Sequence, residues 1–437
     1  EAAQRFWETR LEGEARIEVP QNPNCEFAIV VPVHNENPER ILKQIESLRN
    51  QSVESSTFEV IYVVNNDTPD ENHKSQEIVA ANQAVIETLR NIQGLNVFVI
   101  DKSSEGNAIQ DCNVGKARNR GIAEASLRFH ENQKNGILIQ SDADCYFEDP
   151  DYLKKVMDIG KQNPDAVGIA GGLIFEFDPD TKNPEEIETL KQKLEKFTLL
   201  REWGFMSRFL RDSETPLLFQ GNTFSGAHML SRSFETAVLG GLEDAAIAED
   251  VNFGENLKAY AAGRGQAVLG KREELFVVTA LRESDRTGAS FKKYFDEIDL
   301  EKPLMGHDPL APYISEIRQQ ILDKIKVNIH NPIGIKEALS DSNGNLFCSE
   351  AGLEELVTHL KDRNELDVTD PFFSEWRQKY FGESDPIQDM YDKLYPEIPI
   401  TQEALKMLES QVLQHPNGQK FIENMRANLT RIRIKKN

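Results

Sequence analysis

A chain of 437 residues, 39% of them hydrophobic, has ample material for a large buried core and a length that suggests two or three domains. Its formal charge of -23 excludes a general nucleic-acid or anionic-membrane surface, because such partners need clustered cations; any phosphate must be met by a local site. Cys25, Cys112, Cys145 and Cys348 are widely spaced without a Cys-X-X-Cys pair, which speaks against a disulfide framework or zinc module and points to the reducing cytoplasm. No apolar run approaches the roughly 20 residues that span a bilayer, and the start at Glu1 has no signal-peptide pattern.

Residues 1–25 are polar with scattered apolar side chains (Phe6, Trp7, Leu11, Ile17, Val19) and read as an N-terminal arm. Phe27 to Val33 is the first strand, and His34-Asn35-Glu36-Asn37-Pro38 turns into a helix carrying Ile41, Leu42, Ile45 and Leu48 on one face. Phe58 to Val64 is a second strand, ending at Asn65-Asn66-Asp67, and a long amphipathic helix with Ile78, Val85, Leu89 and Ile92 follows. Val97 to Ile100 is a third strand; Gly115 to about His130 is a helix containing Lys116-Ala117-Arg118-Asn119-Arg120-Gly121. The run Ile137-Leu138-Ile139-Gln140 is short and β-branched, as in a central parallel strand, and it leads into Ser141-Asp142-Ala143-Asp144.

This alternation predicts an α/β fold with a mainly parallel sheet flanked by helices, whose right-handed crossovers bring the loops after the strands to one edge. Glu36, Asn66, Asp67, Asp142 and Asp144 would share that edge, where open α/β sheets bind ligands. Two carboxylates suit Mg²⁺ or Mn²⁺ and leave coordination positions for substrate phosphates, although an isolated Asp-X-Asp is more often an acidic turn. Neither Gly-X-Gly-X-X-Gly after the first strand nor Gly-X-X-X-X-Gly-Lys-Ser/Thr is present, so a diphosphate would have to be held through metal.

Farther on, Ile187, Leu190, Leu194, Phe197 and Leu200 predict a helix with Trp203 near its end; core packing is the default for Trp203 and stacking on an acceptor sugar the alternative. Glu249 and Asp250 open a helix through Val251, Phe253, Leu257 and Tyr260, a position that favours carboxylates by capping alone. Residues 301–437 read as a mainly helical accessory region, and Arg431 to Lys436 as a frayed tail, with contact to an anionic surface as the alternative.

Val30-Val31-Pro32-Val33-His34-Asn35-Glu36, Val63-Val64-Asn65-Asn66-Asp67, Asn113 to Ile122 and Asp142-Ala143-Asp144 are followed by Gly226 to Arg232, Gly240 to Asp244 and Ala248 to Asn252. In order and rough spacing this resembles the GT-A-fold glycosyltransferases of the family-2 type, over about residues 26–290. The resemblance implies a Rossmann-like GT-A domain at 26–300, with 26–150 the nucleotide-binding half and 151–300 the acceptor half. It implies Pro32, Glu36, Asn66, Asp67 and Arg118 around the nucleotide, Glu36 and Asp67 facing base and ribose. Asp144 would be the direct ligand of Mn²⁺ or Mg²⁺, and Asp142 a ligand through water or a contact to ribose and sugar. Asp250, beside Glu249, would take the proton of a hydroxyl acceptor, a saccharide or small molecule, in inverting hexosyl transfer from a UDP- or GDP-sugar.

Two departures stand out. Family members often carry paired acids and Gly-Ser where this chain has Asn65-Asn66-Asp67, and no histidine follows Glu249-Asp250 at the spacing some relatives use for metal. His228 on an apolar run reads as a core histidine and His307 as a loop candidate; Arg282 and Arg286 would clamp the diphosphate or form surface ion pairs. A sugar-nucleotide pyrophosphorylase or other nucleotidyltransferase would want a Gly-rich, basic loop after the first strand, which is missing. A catalytically silent carbohydrate-binding protein would be expected to have lost the acids that this chain keeps.

Overall fold

A computed structural model describes residues 1–66, 73–177, 183–211, 224–245, 249–270, 274–281, 297–307, 309, 314–340, 344, 346–361, 363, 372, 375–376, 379–380, 386–428 and 431–434. The chain divides into two compact units: Glu1–Phe197, Leu217–Asp299 and Lys420–Asn437 form the first, Thr198–Pro216 and Leu300–Gln419 the second. The single helical region expected over 301–437 is therefore divided, its last residues belonging with the first unit.

The strands of the first unit are β1 (Phe27–Val33), β2 (Phe58–Asn65), β3 (Val97–Lys102), β4 (Ile137–Ser141), β5 (Ala166–Ala170), β6 (Gly172–Phe177), β7 (His228–Arg232), β8 (Ala267–Leu269) and β9 (Phe276–Ala280). Its helices include α1 (Ala2–Leu11), α2 (Pro38–Arg49), α3 (His73–Arg90), α4 (Val114–Glu131) and α5 (Tyr152–Gln162). α6 (Pro184–Arg211), whose residues from Thr198 on belong to the second unit, is followed in the first by α7 (Ser233–Val238) and α8 (Glu249–Ala262). Seven strands form one sheet in the order β3-β2-β1-β4-β7-β5-β8. All its pairings are parallel except those of β7 with β4 and β5.

Strands β1 and β2 are buried throughout, which is why they read as near-continuous apolar runs rather than as an alternating pattern; Glu59 interrupts β2 and pairs with Arg128 at 2.8 Å. The period of two survives in three dimensions. Phe27, Ile29, Val31 and Val33 pack with Ile41, Ile45 and Leu48 of α2 and Val85, Ile86 and Leu89 of α3 on one face. Ala28 and Val30 pack with Ala117, Ile122 and Ala123 of α4 and with Phe6 and Trp7 of α1 on the other. On α2 the buried stripe is Ile41, Gln44, Ile45 and Leu48, not Leu42, which is 43% exposed. A neighbour in sequence lies about 100° round the helix and cannot share the stripe of Ile41.

The connections from β1 through β2 to β3 run to one side while β4 lies on the other side of β1, so the order reverses between β1 and β4. Such a switch point leaves a crevice beyond the carboxyl ends of the two strands. Pro32 lies past the last β1–β4 pair, Val30 with Gln140, although it is still in register with Val63 of β2. Having no N–H, it cannot extend a ladder towards β4. Beyond β1 the chain turns through Asn35, whose φ of 51° falls in the left-handed region that Asn tolerates, and Asn37 then caps α2 by accepting from Glu39 N at 2.9 Å.

A second sheet has the order β10-β6-β9, where β10 is Arg431–Ile434, parallel to β6 from Arg431 beside Ile174 to Ile434 beside Phe177. The expectation of a frayed tail is thus corrected: the alternation Arg-Ile-Arg-Ile has the period of a strand, and an edge of β6 was there to receive it. In the second unit, α9 (Ile314–Val327), α10 (Pro332–Ala338) and α11 (Glu350–Leu360) surround a core with Ile321, Ile325, Ile335, Leu353, Leu356 and Trp376. Among the described residues no helix is long and apolar enough to cross a membrane.

Candidate active site

The Asp142-Ala143-Asp144 turn leaves β4 at the switch point and is held by its backbone. Gln44, buried in α2, donates to the Asp142 carbonyl at 3.0 Å and accepts from the hydroxyl of buried Tyr62 at 2.8 Å; Cys145 N returns to Asp142 O at 3.1 Å. Past the turn, Tyr146 bridges to Val278 of β9, and Thr279 donates to Asp144 Oδ1 at 3.2 Å. The first sheet therefore supplies the turn and the second sheet steadies its far end. Both carboxylates remain partly exposed, Asp142 by 41% of its side chain.

Consecutive residues of α4 divide the surrounding work. Asn113 caps the helix through Lys116 N at 2.9 Å. Gly115 lies against the 243–245 backbone so closely that a Cβ would come within 2.1 Å of Glu243 O. Gly121 faces Val30 and Val63 of the sheet, again with no room for a Cβ. Arg120 turns to the N-terminal arm, donating to Ala15 O at 2.7 Å and pairing with Glu124 at 3.2 Å. Arg118 points into the crevice: its side chain is only 2% exposed, Nη2 meets Asp142 Oδ1 at 2.5 Å, and Nε lies 3.6 Å from Glu249 Oε1. Nε and Nη1 are buried without a hydrogen-bond partner.

Glu249 and Asp250 begin α8. Burial is the largest influence on Glu249 and raises its pKa, with Arg118 pulling the other way and Asp250 and Asp142 adding to the rise. Asp250 accepts from Gly226 N at 2.6 Å through one oxygen and from Val251 N at 2.8 Å through the other. Gly226 also supports Arg118, since a Cβ there would sit 2.6 Å from Nη2. The structure thus brings Asp142, Arg118, Glu249 and Asp250 together, though the acid pair lies more than a hundred residues along the chain from the other two. Gln44 and Thr279 were not singled out from the sequence, and Gly226 entered only as the start of the Gly226 to Arg232 motif. Gln44 had one signal, an amide on the apolar stripe of α2.

Other expected residues fall as follows. Pro32 ends β1 at the crevice, and Glu36 in the next turn is buried and accepts from Asn37 N and Arg40 Nη1, each at 3.1 Å. Asn66 is buried at the end of β2, its N–H bonded to Lys102 O and its carbonyl to Ile109 N. Asp67, Arg282 and Arg286 lie outside the described residues. His228 is buried with Nδ1 2.8 Å from Gly172 O and Nε2 2.5 Å from the Tyr152 hydroxyl, so both ring nitrogens are engaged and neither is left for a metal. His307, in the second unit, has Nδ1 3.0 Å from Tyr395 O. Trp203 is buried in that unit, against Gly306. Among the described residues no group of three or more His, Cys, Asp or Glu gathers as a metal cage.

The mainly parallel sheet thus carries helices on both faces, with the Asp-X-Asp turn at its switch point and an acid pair across a buried arginine. Residues 28–234 match the family model for glycosyl transferase family 2, and this segment belongs to that family; the chain is a glycosyltransferase. The fold is similar to that of mannosyltransferase PcManGT from Pyrobaculum calidifontis in complex with GDP-Man and Mn²⁺, at 12% identity and a TM-score of 0.39, covering 98% of this chain and 92% of that one. It is also similar to S. aureus TarS 1-349 in complex with UDP-GlcNAc, at 16% identity and a TM-score of 0.35, covering 92% of this chain and 89% of that one. A search of the curated proteins finds no match.

Proposed function

We propose that the chain transfers a sugar from a nucleotide-diphosphate sugar to a hydroxyl acceptor, with a divalent ion at Asp142 and Asp144 and inversion at the anomeric carbon. The observation that carries this reading is Arg118, a buried guanidinium between Asp142 and Glu249 with Nε and Nη1 lacking hydrogen-bond partners. Buried donors without partners are costly, and diphosphate oxygens are acceptors that would meet them with charge-assisted bonds.

Asp142 and Asp144 fit Mn²⁺ or Mg²⁺, because two partly exposed carboxylates, which belong to no group of three or more metal-binding side chains among the described residues, leave most of a six-oxygen shell to the diphosphate and water. Bound there, the ion would neutralise charge gathering on the departing nucleoside diphosphate. Asp144 would be the direct ligand in this reading, and Asp142, shared with Arg118, a ligand through water or a contact to ribose and sugar. Pro32, Glu36 and Asn66 border the nucleotide, together with Asp67. The buried and half-buried thiols of Cys25, Cys112, Cys145 and Cys348 suit a reducing, cytoplasmic setting.

Asp250 takes the proton of the acceptor hydroxyl, its carboxylate aimed by the Gly226 and Val251 amides. A second reading is favoured by one observation: Glu249 has a pKa raised by burial, which suits a proton acceptor. Transfer assays on Asp250→Asn and Glu249→Gln with a panel of nucleotide sugars and Mn²⁺ separate them. Asp250→Asn is expected to lower turnover at least about a hundredfold with donor binding nearly intact. Near wild-type turnover in Asp250→Asn with loss in Glu249→Gln moves the base to Glu249, and a product of retained anomeric configuration removes the inverting assignment.

A further inference from the structure

The residues 240–245 that lead towards Glu249 are gripped from two sides. From α4, Asn119 accepts from Leu242 N at 2.8 Å and donates to Leu242 O at 2.7 Å and Asp244 Oδ1 at 2.9 Å. Asn113 donates to Asp244 O at 3.0 Å and Gly115 N to Ala245 O at 3.1 Å. From α1, Arg10 Nη1 donates to Asp244 Oδ2 at 2.7 Å. Phe6 lies where a Cβ on Gly241, at φ +74°, would approach to 2.9 Å. Asp244 therefore has one oxygen on α4 and the other on the N-terminal arm. The loop is in turn tied to α8, because Asn252 donates to Glu243 Oε2 at 2.8 Å from the same end of the helix that carries Glu249 and Asp250.

We propose that α1 is a positioning element of the active site: Arg10, acting through Asp244, fixes the 240–245 loop and thereby the first turn of α8. The proposal rests on the reading of Glu249 and Asp250 as the acid–base pair. On α4 the hub is Asn119, the residue next to Arg118, so one turn of helix orients both the guanidinium and the loop. Helix α1 closes the loop from the far side. The Arg10–Asp244 pair is 28% and 35% exposed, so it adds little to stability, and its use is geometric. A displacement of about 1 Å at a reacting group can cost about 10² in rate, which makes a small slackening of the loop visible in turnover.

The test uses the full chain with Arg10→Ala and Arg10→Lys, and reads melting temperature, affinity for UDP and GDP with Mn²⁺, turnover, and amide hydrogen exchange. Arg10→Ala is expected to lower kcat by about tenfold with nucleotide affinity within about twofold and the melting temperature nearly unchanged; Arg10→Lys should recover most of the loss. Exchange at Leu242 and Val251 should quicken by about tenfold in Arg10→Ala while β1 stays protected. A kcat within about twofold of wild type, or a loss that merely follows the melting temperature, overturns the proposal. So does unchanged exchange at Leu242 and Val251. If the wild-type chain turns over no nucleotide sugar, the functional reading falls, while exchange still decides whether Arg10 holds the loop.

Discussion

Replacing Gly226 by alanine isolates the contact on which the site is assembled. The backbone there has no positive φ, so alanine is conformationally acceptable and the effect is one of space alone. Its Cβ would stand 2.6 Å from Arg118 Nη2, 3.1 Å from Cζ and 3.4 Å from Nε. Ordinary contact between such atoms begins near about 3.5 Å, so the guanidinium must retreat by about 1 Å. Nη2 is the nitrogen that meets Asp142 at 2.5 Å, and the Gly226 amide is the one that holds Asp250, so both halves of the site move. Overpacking of this kind costs about 1–3 kcal/mol, which for a domain of this order lowers the melting temperature by about 2–4 °C per kcal/mol. Turnover should fall further than stability, by about 10² if the shift reaches about 1 Å. Thermal melting and a sugar-transfer assay on Gly226→Ala measure the two effects. In an Arg118→Ala background the added methyl should cost almost nothing, because the crowded partner is gone. A Gly226→Ala protein with wild-type melting and wild-type turnover would refute the packing of Arg118 against this glycine.

Two further outcomes follow from the same structure. Gly115→Ala drives its methyl against a backbone carbonyl, which yields less readily than a side chain, so its stability loss should reach or exceed the top of the range of about 1–3 kcal/mol in a denaturant titration; a neutral result would contradict the close approach of α4 to residues 243–245. Burial pushes the Cys25 thiol up to about 12 and the Cys145 and Cys348 thiols above their ordinary value, whereas Cys112 is only half-buried, so a thiol reagent at neutral pH should label Cys112 first and the others on unfolding. Mass spectrometry that finds Cys25 or Cys145 labelled as fast as Cys112 would contradict this.

The first half of the sheet was legible because its signals are local. β1, β2 and β4 are mostly apolar runs, and the Asp142-Ala143-Asp144 turn directly follows one of them. The stretch from Asn113 to Gly121 was visible as a motif, but its division of labour was not. That Asn119 faces the 240–245 loop, and that Arg118 lies between Asp142 and Glu249, depends on segments more than a hundred residues away. The β6–β10 pairing joins segments far apart in the chain, such as Ile174 and Arg431, and no periodicity in either names the other. Gln44 was missed because an amide on an apolar stripe looks like a pattern error until Tyr62 and the Asp142 carbonyl are seen to satisfy it.

The reading of Asp142 and Asp144 as a metal–diphosphate site is tested most directly by calorimetry of UDP and GDP binding, with Mn²⁺ and with EDTA, to the wild-type chain and to Asp144→Asn. One of the two nucleotides should bind the wild type only with Mn²⁺, and Asp144→Asn should lose most of that dependence. Equal affinity with Mn²⁺ and with EDTA, or an Asp144→Asn protein that keeps the full metal dependence, would contradict it.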